Sequence, residues 1–343
     1  MIDTLFPLTV SNSSLGSMYS CEFKWYRSNL QKLNTTIVSG DLAAGGLVAK
    51  ACEIARLAFY TEGTTQDEAV EKAIEYILLA PDTGHPVKTN ERLALTFRKY
   101  IESYPFEGGF RPVRLEGGQA AIEYRFELDL GIPHPDIKGT TIKYTGILDG
   151  LFERLHQGKV VKTYILDEKT TGRISRVQGT KVVDLEKEAD QFRLSSQLIS
   201  YAYVMNKLGV KVDSALIRRI PILTSHEPAF ELDLPISQYM MQQWYMSTMA
   251  KVTELVEKYK YYKKDIEGKP GRFAQEAFYP SYGSSCNAYN RPCLYSAGCL
   301  HKEGEQVLLA TLDQTVRVRG DDGEYSIVSL ADYKQQLREE RKM

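Results

Sequence analysis

The residues of this chain best suited to chemistry are two carboxylates and an amine on neighbouring stretches of alternating sequence. In Tyr164-Ile-Leu-Asp167-Glu168-Lys169-Thr170, the period of two expected of a strand puts Ile165, Asp167 and Lys169 on one face and turns Glu168 to the other. An acid and a lysine beside an apolar run are costly to bury singly, and pairing with each other or with a metal removes that cost. Just upstream, Gly146-Ile-Leu-Asp149-Gly150 supplies a second acid with glycines on either side. The spacing of Asp149 and Asp167 fits adjacent antiparallel strands joined by a tight turn, so the two acids can converge. Two carboxylates plus oxygen ligands suit a hard divalent cation that keeps some of its waters. Such an ion activates water, orients a scissile phosphate and neutralises developing charge. The lysine can position that water or help deprotonate it. An isolated Asp-x-Lys is more often a surface ion pair, and it is the glycine-flanked acid on the partner strand that weakens this plainer reading.

Two further groups add to the pattern. Gln197 and Tyr201 are four residues apart and share one helical face, in a helix that follows the Asp167 strand and can pack over the same end of the sheet. There are five cysteines, namely Cys21, Cys52 and the late group Cys286, Cys293 and Cys299. Four thiolates can hold an iron–sulfur cluster or a structural zinc, or stay unliganded, and the spacing here differs from the paired close cysteines of a zinc ribbon. Cys52, among Ala, Ile and Leu, reads as a small buried apolar residue.

The elements that must position these residues are legible from periodicity. Helices are expected over Ser11–Leu30 and Asp41–Tyr60, with two more between Thr64 and Tyr104. Strands are expected over Ala120–Leu130, Thr141–Glu153 and Val160–Thr170. A helix over Glu186–Leu208, a strand over Ala215–Leu223 and a long helix over Ile236–Lys264 follow. Ser281–His301, rich in Gly, Ser, Asn and Pro, reads as loop. Ser329–Met343 has a helical pattern at the end of a charged tail. This order implies an α/β sandwich with a mixed sheet.

A chain of 343 residues with 43% hydrophobic residues can bury a core without metals or disulfides. Its net charge of −1 does not advertise a polyanion partner, although a local basic groove would suffice. Candidate basic patches are Arg173 with Arg176, the pair Arg218-Arg219, and Lys258-Tyr-Lys-Tyr-Tyr-Lys-Lys264; the last mixes cations with aromatics as single-strand binders do, but reads more simply as the solvated end of a long helix. No apolar run approaches the roughly 20 residues needed to span a bilayer. The opening residues lack a basic n-region and do not read as a signal peptide, so the expected compartment is the cytoplasm.

Taken in order, Gly146-Ile-Leu-Asp149, Ile165-Leu-Asp167-Glu168-Lys169-Thr-Thr and Gln197-Leu-Ile-Ser-Tyr201 resemble the RecB-like branch of the PD-(D/E)XK nuclease superfamily. Ser11-Asn-Ser-Ser-Leu15 through Cys21 and the late cysteines extend the likeness to about His301, towards phage-encoded recombination exonucleases and CRISPR-associated iron–sulfur exonucleases. The resemblance implies a restriction-endonuclease-like core, with a mixed central sheet flanked by helices, an N-terminal helical region and a C-terminal cysteine-rich iron–sulfur segment. Residues 1–301 would form a single nuclease domain: a helical part over about 11–104, a sheet core over about 118–225, and a long helix with cysteine-rich closure over about 236–301. Residues 302–343 would be a charged tail.

By the same resemblance, Asp149, Asp167 and the backbone carbonyl of Glu168 would hold Mg²⁺ or Mn²⁺, and Lys169 would be the catalytic lysine. Gln197 and Tyr201 would orient the site and contact DNA, joined there by Arg173 and Arg176 of the candidate basic patch. Cys21, Cys286, Cys293 and Cys299 would hold a 4Fe–4S cluster, tying the ends of a long loop together. The implied activity is digestion of single- or double-stranded DNA ends in recombination or end-processing, alone, as a homo-oligomer or with a recombination partner protein. One departure is plain. Where the family has a metal-binding histidine four residues after a glycine, Gly46-Leu-Val-Ala-Lys50 ends in lysine. A cation there opposes metal binding; Glu53, one turn on, is the candidate substitute, and Glu123, on the first strand, is a further candidate as an outer-shell acid of the metal site. The alternative this departure raises is a catalytically impaired DNA-binding or assembly protein.

Overall fold

The computed structural model describes residues 5–34, 39–290, 292–300, 308, 312–319 and 325–329. After a short strand β1 (Thr9–Val10), Ser11 opens helix α1 (Asn12–Ser20) with a reciprocal cap, its hydroxyl accepting from the Ser14 amide while the Ser14 hydroxyl accepts from the Ser11 amide. Helix α2 (Glu22–Trp25) runs into a π turn at Tyr26–Leu30, and β2 (Leu33–Asn34) follows. Next come helices α3 (Gly40–Leu57), α4 (Gln66–Leu79) and α5 (Asn90–Ser103). The strands β3 (Phe110–Pro112), β4 (Ile122–Pro133), β5 (Thr141–His156) and β6 (Lys159–Thr171) come after them. The chain continues through α6 (Leu185–Asp190), α7 (Ser196–Lys207), β7 (Ser214–Pro221), β8 (Phe230–Pro235) and α8 (Gln238–Asp265). A five-residue helix α9 (Ser296–Leu300) and strands β9 (Asp313–Arg319) and β10 (Tyr325–Ser329) complete the described elements.

The principal helices and strands fall where periodicity places them, and the departures have local causes. The helix expected over Ser11–Leu30 breaks at Cys21, whose backbone is extended. The one expected over Glu186–Leu208 divides because Ser195 caps a fresh helix, its hydroxyl accepting from the Leu198 amide at 3.5 Å. Strand β8 went unread although Phe230-Glu-Leu-Asp-Leu-Pro235 alternates, with Leu232 and Leu234 buried. The charged tail contains β9 and β10, which pair antiparallel. The helix expected over Ser329–Met343 lies, beyond Ser329, outside the described residues.

The chain forms two compact units, each assembled from separated segments. One comprises Val38–Phe126 and Gly146–Met246; the other comprises Met1–Ile37, Glu127–Thr145 and Ser247–Met343. This partition runs across the expected single domain of residues 1–301, because the chain passes from one unit to the other between Ile37 and Val38 and again within β4, β5 and α8.

The first unit is built on a mixed sheet. Strand β5 is antiparallel to β3 and β6, β6 is parallel to β7, and β7 is antiparallel to β8. Every residue of β7 is buried, as expected of a central strand covered on both faces. Helices α3, α4 and α5 pack through Val48, Ala51, Ala55, Ile77, Leu93 and Phe97, together with Ile220 and Ile222 from the β7 end. Each large side chain buried there contributes about 1.5–3 kcal/mol. The Thr65 cap that starts α4 is matched by Glu68, whose carboxylate accepts from the Thr65 amide at 2.9 Å.

The second unit has an aromatic core. Phe278 packs on Trp25, Tyr26 and Tyr262, and the Tyr26 and Tyr262 hydroxyls are hydrogen-bonded at 3.0 Å. Tyr259 packs edge-on against Phe6 and donates to Asp136 at 2.8 Å. Strands β2, β9 and β10 form a small antiparallel sheet, beside which Leu33, Tyr295 and Leu308 cluster.

Candidate functional site

In the first unit, the turn at Gln157 and Gly158 sets β6 antiparallel to β5 with Gly150 opposite Leu166. Asp149 and Asp167 are the next residues outward on the two strands. The ladder stops there, and the Glu168 amide donates to Asp149 Oδ2 at 2.8 Å. The pleat turns Asp167 and Lys169 to one face, where Lys169 Nζ donates to Asp167 Oδ1 at 2.8 Å. Asp167 is 1% exposed, and among the described residues its Oδ2 has no hydrogen-bond partner.

The electrostatics follow from this packing. Burial pushes both carboxyls upward, with Asp167 adding to the rise at Asp149 and Glu168 to the rise at Asp167, while Lys169 holds both down. Burial works against the Lys169 charge, but Asp167 and Asp149 outweigh it and raise the ammonium above its ordinary range. The Glu123 carboxyl is pushed up to about 8, by burial first and then by Asp149 and Glu53. Its backbone lies in the left-handed region at φ 46°, which is strained for a residue with a Cβ and is the kind of outlier that clusters at functional sites.

Helix α7 brings Gln197 and Tyr201 to this site as their spacing predicts. Gln197 Nε2 donates to the Tyr201 hydroxyl at 3.1 Å, and the Tyr201 ring stands edge-on to Phe126 with centroids 5.4 Å apart. Gly146 admits this ring, since a Cβ there would lie 2.9 Å from Tyr201 Cε1 and 2.6 Å from Phe126 Cζ. Burial, with the nearby Asp149 and Asp167, raises the Tyr201 phenol to about 12, so it stays protonated at neutral pH.

The opposite face of β6 carries residues that the sequence reading missed. The Glu168 carboxylate is gripped by both Arg56 guanidinium nitrogens and by the Tyr100 hydroxyl, and all three side chains are buried. Arg218 donates to the same hydroxyl at 3.4 Å and to Glu231 at 2.9 Å. Burial alone would raise the Glu168 carboxyl; Arg56 and Tyr100 outweigh it and hold the group ionised below its ordinary range. The clue in the sequence was Arg56 itself, set on the buried Val48, Cys52 stripe of α3. Cys52 is buried as expected, beside Glu168.

Some expected roles meet different surroundings. Lys50 pairs with Glu53 at 3.0 Å, so the candidate substitute ligand is neutralised by the lysine that stands where the resemblance expects a histidine. Arg218 and Arg219 do not form a basic surface patch. Both are buried, with Arg219 on Glu188 at 3.3 Å, because a central strand leaves no open face. Arg173 is exposed, whereas Arg176 pairs with Glu227 at 2.7 Å.

In the second unit, Cys21, Cys286, Cys293 and Cys299 line one cavity of ≈ 270 Å³. Cys21 is placed by the extended break between α1 and α2, Cys286 by a 3₁₀ turn at Ser284–Asn290, and Cys299 by α9. Burial and the three other cysteines push the Cys299 thiol up to about 11, which is what a cluster of unliganded thiols does to one of its members. The Lys258–Lys264 segment is ion-paired along α8, with Lys258 on Glu254, Lys260 on Glu257 and Lys263 on Glu267.

Among the described residues, no three acid, cysteine or histidine side chains are drawn together tightly enough to grip a single ion. The donors nevertheless suit two different groups. A buried, unpartnered carboxylate oxygen beside a second acid fits a hard cation, and four thiols around one cavity fit a larger, softer centre.

No family model matches the chain, and no curated protein sequence matches it. Among solved structures it is similar to a presumptive exonuclease from Eubacterium rectale, at 12% identity and a TM-score of 0.38, over 73% of this chain and 80% of that one. It is also similar to a protein designated SSO0001, at 12% identity and a TM-score of 0.23, over 65% and 85% of the two chains. Likenesses this low carry no weight for the chemistry, which stands on the site itself. No helix among the described residues is long and apolar enough to cross a membrane.

Proposed function

We propose that the chain is a Mg²⁺- or Mn²⁺-dependent deoxyribonuclease on a restriction-endonuclease-like core, acting as an exonuclease at single- or double-stranded DNA ends in recombination or end-processing. The observation that carries this reading is the buried Asp167 carboxylate, with Oδ1 on Lys169, Oδ2 unpartnered among the described residues, and Asp149 on the adjoining strand. Asp149, Asp167 and the Glu168 carbonyl would hold the divalent ion, which when bound supplies Lewis acidity and charge neutralisation at the scissile phosphate.

The chain's own residues do the rest. Lys169 orients the attacking water and offsets charge that builds on the phosphate. Gln197 fixes the Tyr201 hydroxyl, which remains a donor to the DNA backbone. Exposed Arg173 offers a phosphate contact, and Arg176, shared with Glu227, a weaker one. Arg56 and Tyr100 anchor the Glu168 side chain from behind, which fixes the direction of its carbonyl. In the other unit, Cys21, Cys286, Cys293 and Cys299 are proposed to hold a 4Fe–4S cluster rather than zinc. The proposed setting is the cytoplasm, in a phage-encoded system.

The test is digestion of end-labelled single- and double-stranded DNA with Mg²⁺ or Mn²⁺, set beside Lys169→Ala. Metal-dependent loss of label from wild type alone supports the proposal. A second reading, a DNA-binding or assembly protein without turnover, draws on the Lys50–Glu53 pair. DNA binding with no cleavage in Mg²⁺, Mn²⁺ or Co²⁺ would select it.

A further inference from the structure

One charged side chain among the described residues, Lys24, lines the cysteine cavity, and no carboxylate does. Behind it, Arg27 is 1% exposed, with its guanidinium 4.5 Å above the Phe23 ring and Nη1 donating to Gln31. The same guanidinium reaches under α9, where Nη2 lies 3.6 Å from the point a Cβ on Gly298 would occupy, one residue before Cys299. Arg27 and Phe23 thus pack against the turn that presents a candidate ligand.

Four thiolates around a 4Fe–4S core form an anionic assembly, and each electron it accepts makes it one unit more negative.

We propose that Arg27, helped by Lys24, is the built-in counter-charge of the group held by Cys21, Cys286, Cys293 and Cys299 and favours its reduced form. This rests on the cluster reading above and goes beyond a purely structural clip, because it makes the cluster's reduction potential a property set by named side chains. Cluster potentials respond to net charge and to their surroundings in this sense. One electron, delivered by a chemical reductant such as dithionite, enters the cluster without bond cleavage. The nearby cations stabilise the added charge.

The experiment is a redox titration of anaerobically purified full-length protein, followed by the visible absorbance of the cluster, for wild type, Arg27→Met, Arg27→Lys and Lys24→Met. Arg27→Met is expected to titrate at a more negative potential, Arg27→Lys close to wild type, and Lys24→Met shifted less in the same direction, because water screens its head group. A cluster-bearing Arg27→Met with the wild-type potential overturns the inference and leaves the cluster reading intact. If Arg27→Met does not fold, Lys24→Met decides: a more negative potential supports the counter-charge and an unchanged one overturns it. Wild-type protein purified without iron and sulfide overturns the cluster reading, and this inference with it.

Discussion

The acid site and the cysteine cavity are both candidate metal-binding places, but they are built in opposite ways. Asp149 and Asp167 are set by backbone pairing, one step beyond the Gly150–Leu166 pair, and Glu168 is locked from behind by Arg56 and Tyr100. The frame there is complete before any ion arrives. The cysteines sit on an extended break, a 3₁₀ turn and a five-residue helix, elements with few backbone bonds of their own. There a bound group would have to supply the order. The lesson is that ligand loss at the first place should remove chemistry and spare the fold, and at the second should remove the local fold.

The sharpest way to break this contrast is Asp167→Ala or Asp149→Ala. Metal-dependent cleavage is expected to fall by on the order of a hundredfold or more, with no loss of thermal stability. Full activity in these variants removes the acid site from the chemistry. Next in size is Arg56→Met, which strands the Glu168 charge in the interior and is expected to cost about 3–5 kcal/mol in urea unfolding. A cost near zero shows that the frame does not depend on the clamp.

Cys286→Ser or Cys299→Ser is expected to abolish bound iron and expose the surrounding segment to protease. The accompanying stability loss is about 2.7 kcal/mol if the wild-type site is saturated a hundredfold over its Kd. Serine variants that are as protease-resistant as wild type would place the order in the chain rather than in its guest. Gly146→Ala is smaller, at about 1–3 kcal/mol, because its Cβ must displace the Tyr201 and Phe126 rings. Its kcat should fall more than its stability if Tyr201 works at the site.

The smallest effect concerns pH. The folded-state Glu123 carboxyl, pushed up to about 8 from 4.5, binds its proton more tightly than in the unfolded chain. Its contribution is therefore fully present below 4.5 and is lost as pH rises towards 8; the raised Asp149 acts in the same sense. The Tm of metal-free protein should decline across that window, less so in Glu123→Gln. An identical decline in that variant assigns the effect elsewhere.

Much of the acid site was legible because its geometry is local. A period of two fixes which of Asp167, Glu168 and Lys169 share a face, and a tight turn fixes what lies opposite. Gln197 and Tyr201 were legible through one helical turn. The Arg56–Glu168–Tyr100 clamp was not, since its members come from α3, β6 and α5 and no local period links them. Arg218-Arg219 misled for the same reason. Two adjacent arginines read as surface until β7 is seen to be central, with Glu231 and Glu188 supplied from elsewhere in the chain.

By itself the sequence determined the principal helices and strands, the placing of Asp149 and Asp167 on adjacent antiparallel strands, and the presence of four cysteines outside the α3 stripe. The tertiary structure alone decided that the chain divides into two units between Ile37 and Val38 and within β4, β5 and α8, that Lys50 spends its charge on Glu53, and that buried arginines stand behind both candidate sites. The reason is physical. Backbone periodicity is written in neighbouring residues, whereas the pairing of a buried charge depends on which distant segment the packing brings beside it.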